Sequence, residues 1–146
     1  MRLLSALFVL FMSLGAQANA PTAMGLALRY QADYACEPRG VRAEGVYVLM
    51  WRRPRAGGYN VELRTKDGVQ RLVFDNIYRE WNTRTRFNSR ENLYPMLYID
   101  ENQFSHHARV TGPNGTKFIR WANADISLDG RPWPKSYNLT CYSPRE

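Results

Sequence analysis

Apolar and polar residues alternate along most of the chain, and helical spacing is nearly absent. Apolar side chains recur at every second position, a period typical of strands with one buried face. The segment 46–53 is apolar on both faces, which predicts a central strand. The predicted strands are residues 26–36, 46–53, 59–66, 69–75, 93–100, 104–111, 116–122, 126–128 and 137–142.

Turn-forming residues separate these segments. Asp67 and Gly68 form a two-residue hairpin signal, and further turns are predicted at residues 113–115 and 129–130. Residues 76–92 are less regular and could hold a short helix near 77–81 or another strand. About eight or nine short strands divided by turns predict an all-β fold, a single small antiparallel barrel or sandwich.

The first twenty residues have the order of a signal peptide. Arg2 is followed by the apolar run 3–14 and then by small residues, an arrangement that signal peptidases recognise. The apolar run is too short to span a bilayer comfortably. We predict cleavage after Ala18 or Ala20, which leaves a single soluble domain of residues 21–146, without a transmembrane segment, that is periplasmic or secreted.

The two cysteines predict one disulfide. Cys36 and Cys141 are the only cysteines, and exported chains enter an oxidising compartment where an even number of cysteines indicates pairing. The local alternation places both side chains on inward faces. A bridge between the first and last long strands favours a curled sheet, and therefore a closed or nearly closed barrel.

The charge of the chain suggests an interaction surface. The formal net charge is +7, and many of the arginines cluster beside aromatic residues. Guanidinium groups match the geometry of carboxylates and phosphates, while arginine beside aromatic rings is common at protein interfaces. Trp133 lies between two prolines, where it could present an indole on a stiff loop or plug the barrel end. The predicted binding residues are Arg52, Arg53, Arg55, Arg84, Arg86 and Trp133.

The sequence offers little support for catalysis. His106 and His107 are the only histidines, and adjacent strand residues point to opposite faces, so the pair cannot chelate one ion without a bulge. His106 is interpreted as a core residue. The sequence contains no Gly-x-Ser-x-Gly motif, and both thiols are expected to be oxidised. No catalytic residue, metal site or cofactor is predicted.

These observations favour a binding function. The leading hypothesis is an exported soluble binding protein whose partner is another protein, as an inhibitor or immunity-type partner of a secreted or periplasmic enzyme. One alternative is a secreted hydrolase that acts on an anionic polymer, RNA or glycan, with His106 or His107 as acid–base. Another alternative is a barrel that carries a small apolar ligand, which requires a hollow interior.

Overall fold

The structure is a computed structural model that describes residues 20–80, 84–100, 107–130 and 135–144. The predicted leader up to residue 19, His106 and Trp133 lie outside the described residues. The elements are α1 (Ala23–Tyr30), β1 (Tyr34–Pro38), β2 (Tyr47–Arg52), β3 (Tyr59–Thr65), β4 (Gly68–Phe74), β5 (Asn76–Glu80), β6 (Arg84–Asn88), β7 (Met96–Asp100), β8 (His107–Thr111), β9 (Lys117–Ser127) and β10 (Ser136–Pro144), with short 3-10 turns at Val41–Ala43 and Pro113–Gly115.

The strands form one antiparallel sheet that is curled into a nearly closed barrel, which confirms the predicted fold class. The strand order is β4-β3-β2-β1-β10-β9-β7-β6-β5, and β8 also pairs with β9. Strand β9 is long enough to hold two partners on one side, because Ser127 pairs with β7 while Trp121 pairs with β8. For that reason the two strands predicted at 116–122 and 126–128 are one strand.

One continuous segment closes the barrel. Strands β4 and β5 lie at opposite ends of the strand order, yet Asp75 alone separates them in sequence. The chain therefore pairs first with β3 and then, after a bend, with β6. The Asp75 carboxylate accepts a hydrogen bond from the Arg90 backbone amide at 2.8 Å. Residues 76–80 are thus a strand, and the alternative of a helix near 77–81 is wrong.

A glycine packs against this bend. Gly58 has a φ of +73°, and a Cβ atom at this position would lie 2.3 Å from the carbonyl oxygen of Phe74. Both the backbone conformation and the close approach of two backbones therefore require a residue without a side chain.

The disulfide is confirmed. Cys36 on β1 and Cys141 on β10 lie directly opposite each other, their Cα atoms are 4.0 Å apart, and the two sulfurs are bonded. Both residues are fully buried in the barrel core. The bridge therefore joins neighbouring strands that are 105 residues apart in sequence.

Aromatic and aliphatic side chains pack against one another in the barrel core. The ring of Tyr34 lies 5.7 Å from that of Tyr59 and 5.4 Å from that of Trp121, and Tyr59 also contacts Phe87. Buried aliphatic residues such as Leu63 complete this cluster. The packing resembles that of small barrels whose lumen is occupied by side chains. It favours the outer surface as the location of a functional site.

The prediction of a strand at residues 26–36 is confirmed only for residues 34–36 and is wrong for the rest. Residues 23–30 form helix α1, whose first turn is capped by the Thr22 hydroxyl, which accepts a hydrogen bond from the Gly25 amide. Ala23, Leu26 and Ala27 are buried at the i, i+3, i+4 spacing of a helix. This face covers the outside of the barrel, where a second apolar cluster forms. The barrel residues of that cluster are Ala35, Leu49, Phe118 and Tyr142.

Candidate interaction surface

The first group of predicted arginines lies at the connection between β2 and β3. Arg52 ends β2, and its guanidinium donates a hydrogen bond to the Tyr59 hydroxyl, which raises the pKa of Arg52 above its usual value. Arg53 and Arg55 follow in the loop, where Arg53 exchanges backbone hydrogen bonds with Gly57 and Gly58 at 3.0 and 2.9 Å. Among the described residues, no carboxylate forms an ion pair with Arg53 or Arg55. The loop thus concentrates positive charge, and the Asp33 carboxylate, which accepts a hydrogen bond from the Arg52 backbone amide, offsets part of it.

The second group lies on the outer face of β6, where each arginine has its own carboxylate. Arg84 pairs with Asp125 at 3.0 Å, and its guanidinium lies 4.2 Å from the centre of the Tyr98 ring. Arg86 pairs with Glu80 at 3.3 Å. Since internal ion pairs offset their charges, these arginines present a weaker positive field than their number suggests.

The surroundings of Arg84 are of mixed polarity. A groove of about 290 Å³ lies beside it, with Arg39 and Asp100 among its lining residues. Asp125 also accepts a hydrogen bond from the Ser136 hydroxyl at 3.1 Å. This region therefore offers donors and acceptors together. No described contact joins it to the β2–β3 loop.

A third basic and aromatic region was missed by sequence analysis. It lies on the outer face of β2, β3 and β4, and we call it the Trp51 face. Its residues are Tyr30, Trp51, Asn60, Glu62, Arg64 and Arg71. A groove of about 320 Å³ runs across it, lined by Trp51, Asn60, Glu62, Arg71 and Val73 among others.

Helix α1 and the sheet meet at one edge of the Trp51 face. The Trp51 indole Nε1 donates a hydrogen bond to the Tyr30 carbonyl at 2.9 Å, which ties the end of the helix to β2. The Tyr30 ring is flanked by two cations, since the guanidinium carbons of Arg29 and Arg64 lie 5.3 and 4.9 Å from its centre. The aromatic ring and the charges are thereby held in a fixed arrangement.

One carboxylate serves two arginines of the Trp51 face. Glu62 is 2.7 Å from Arg64 but 3.9 Å from Arg71, and the Arg71 side chain is 83% exposed. The register that pairs Arg71 with Glu62 differs from the predicted one, because the two-residue turn is formed by Lys66 and Asp67. A turn at Asp67 and Gly68 would have placed Val73 opposite Glu62, so the sequence did not predict this pair. Arg29 and Tyr30 could not be placed from the sequence, because the period-two pattern of residues 26–36 predicts a strand where the structure has helix α1.

The alternative of a hydrolase depends on how the described histidine, cysteine and acidic residues are arranged. Among them, no cluster of three or more histidine, cysteine or acidic side chains could hold a metal ion. Glu37 is held in a structural role, because its carboxylate accepts a hydrogen bond from the Ala23 amide at 2.9 Å. His107 is described only as a backbone position in β8, and His106 lies outside the described residues.

In the part of the chain that the structure describes, no helix has the length and apolar character needed to cross a membrane. Comparisons with family models, curated proteins and solved structures found no match to this chain.

Proposed function

We propose that this chain is an exported binding protein that attaches to another protein, as an inhibitor or immunity-type partner of a secreted or periplasmic enzyme. The observation that carries the proposal is the β2–β3 loop, where Arg53 and Arg55 form no ion pair with a described carboxylate. This loop begins directly after Trp51 in the sequence. An acidic patch on a partner would supply the missing counter-charges, and Trp51 would supply apolar contact area. Arginine and tryptophan are the residue types that dominate the energy of protein interfaces.

The rigidity of the barrel supports this role. The Cys36–Cys141 bridge links β1 to β10, and the loop is braced by backbone hydrogen bonds between Arg53 and Gly57 and Gly58. A surface that is already ordered loses less conformational entropy when it binds. The same disulfide supports export, because such bonds persist in oxidising compartments.

Capture from periplasmic extract of the source organism tests the proposal. The immobilised mature protein should retain a partner, and the Arg52→Glu/Arg53→Glu variant should retain much less of it. The matched control is Arg42→Glu/Arg109→Glu, which makes the same change in net charge at two exposed positions outside both predicted arginine groups. The captured enzyme should also lose activity when the wild-type protein is added.

Three results would contradict the proposal. Equal losses of capture in the two variants would indicate unspecific attraction to the overall charge, and unchanged capture would remove Arg52 and Arg53 from the interface. Capture of RNA or glycan in place of a protein would favour an anionic polymer as the partner.

A further inference from the structure

Strand β4 has one open edge. It pairs with β3 and stands at the end of the strand order. Thr65 and Gly68 flank the two-residue turn of the hairpin, so their backbones form a hydrogen-bonded pair. Along an antiparallel ladder, hydrogen-bonded and non-hydrogen-bonded residue pairs then alternate. The backbone N–H and C=O groups of Val69, Arg71 and Val73 therefore point away from β3. Among the described residues, no backbone hydrogen bond occupies them.

The side chains at this edge form a simple pattern. Val69, Arg71 and Val73 pair with the outward residues of β3 and share the outer face of the sheet. Val69 is 56% exposed and the Arg71 side chain is 83% exposed. Strand β4 contains no acidic residue, and Glu62 holds Arg71 only at 3.9 Å. The edge thus presents one available cation between two apolar side chains.

There is space beside the beginning of this strand. A groove of about 310 Å³ is lined by residues 67–70 on one side and contains Leu128 in its wall. Residues 68–71 are all exposed. Open strand edges of this kind are templates on which a further strand can pair.

We propose that the open edge of β4 binds an extended segment of a partner protein as an added strand, with the pattern apolar–x–acidic–x–apolar. The backbone groups of Val69, Arg71 and Val73 would hydrogen-bond to the segment, as in other complexes formed by strand addition. The acidic side chain would lie opposite Arg71, and the apolar ones opposite Val69 and Val73, since residues directly across neighbouring strands interact. The pattern reads the same from either end, so it holds for both strand directions. This inference rests on the proposed protein-binding function and names the kind of segment that is bound.

A second copy of this chain fits the edge less well. Two-fold antiparallel pairing of β4 with itself, centred on Arg71, would place two guanidinium groups opposite each other, and like charges there are unfavourable. The formal net charge of +7 adds a general repulsion between copies.

Two synthetic peptides test the inference on the mature protein. One is Ser-Val-Thr-Asp-Thr-Val-Ser, and its matched control has Lys in place of Asp. In two-dimensional NMR spectra, the Asp peptide should shift the amide signals of Val69, Arg71 and Val73 and bind about ten-fold more tightly than the Lys peptide. The Arg71→Glu variant should reverse this preference, whereas the exposed Arg42→Glu control should retain it.

Several outcomes would overturn the inference. These are equal affinity for both peptides, signal shifts confined to other regions, and undiminished binding of an Asp peptide whose amides are methylated at alternate positions. Dimerisation through the same amides without peptide would assign the edge to a second copy. If the peptides fail while capture still depends on Arg52 and Arg53, only the edge inference falls. If capture is insensitive to those arginines, the proposed function falls and the peptide result stands alone.

Discussion

The hydroxyl group of Tyr142 on β10 donates a hydrogen bond to the carboxylate of Glu37 on β1. The same carboxylate accepts a hydrogen bond from the Ala23 amide at the beginning of α1. One acidic group thus connects two strands and the helix on the outer side of the barrel. Because Tyr142 belongs to the apolar cluster beneath the helix, its ionisation would disturb this junction.

The stability of the protein should fall at alkaline pH through Tyr142. Burial, with a further contribution from Glu37, raises the pKa of Tyr142 from 10.0 to about 12. Below pH 10 the phenol is neutral in both states, whereas between these values it ionises first in the unfolded chain, so the free energy of unfolding decreases as pH rises. Urea unfolding under non-reducing conditions should show this decline.

The Tyr142→Phe variant is the matched control for that decline. It cannot ionise, so its stability should fall less steeply over the same pH range. Some dependence should remain, because burial and Glu37 also raise the pKa of Tyr47. Parallel curves for the two proteins would show that Tyr142 is not the group responsible.

Substitution of two adjacent glycines should separate backbone strain from steric conflict. Gly57 and Gly58 both have positive φ values, but nothing lies within 4 Å of a Cβ atom at Gly57, whereas Phe74 blocks that at Gly58. Gly57→Ala should cost about 1–2 kcal/mol for its left-handed backbone. Gly58→Ala should cost about 1–3 kcal/mol more, as expected for overpacking, in urea unfolding at neutral pH. Equal losses would mean that the contact with the β4–β5 bend is not required.

Loss of the disulfide should lower stability without changing the fold. The bridge closes a loop with a sequence separation of 105 residues, and removal of a native disulfide typically costs about 2–5 kcal/mol. The Cys36→Ala/Cys141→Ala variant should keep the β-type circular dichroism spectrum and unfold at lower urea concentration. An unchanged unfolding midpoint would show that the barrel does not depend on the bridge.

Hydrogen exchange should reveal the open edge of β4. The amides of Val69 and Arg71 point away from β3 and should exchange rapidly, whereas those of Gln70 and Leu72 donate to β3 and should be protected. Residue-resolved exchange measured by NMR checks this alternation. Uniform protection along the strand would indicate that another part of the chain covers the edge.

Mass spectrometry of the exported protein should show the processed and oxidised chain. We expect the N-terminus at Asn19 or Pro21, according to the two predicted cleavage sites, and a mass two hydrogens lower than that of the reduced chain. An intact leader with reduced cysteines would contradict the proposed export.

The alternation of apolar and polar residues was sufficient to predict a strand where one face of that strand is buried. The alternation at Tyr59, Val61 and Leu63, together with the turn signal after it, predicted the β3–β4 hairpin that the structure contains. The two-residue turn itself is formed by Lys66 and Asp67, one position before the predicted one. The same criterion failed for residues 26–30, because Leu26 and Leu28 also fit a period of two. The Thr22 cap and the spacing of the buried residues Ala23, Leu26 and Ala27 distinguish the helix. That spacing stabilises a helix only where a barrel surface is present for these side chains to pack against.

The candidate surfaces were less accessible to sequence analysis than the strands. The arginine pair on β6 was visible as a cluster, but the ion pair of Arg84 with Asp125, 41 residues away, depends on the order of strands in the sheet. The Trp51 face joins residues of α1, β2, β3 and β4, so no local window contains it.

The sequence by itself determined the strand periodicity, the main turns and the pairing of Cys36 with Cys141, because these depend on neighbouring residues or on there being a single partner. The tertiary structure alone decided that the segment from β4 to β5 closes the barrel, which arginines find carboxylates, and which strand edge stays open. These features depend on the register and order of distant strands, which are set by the packing of the whole core and not by any one segment.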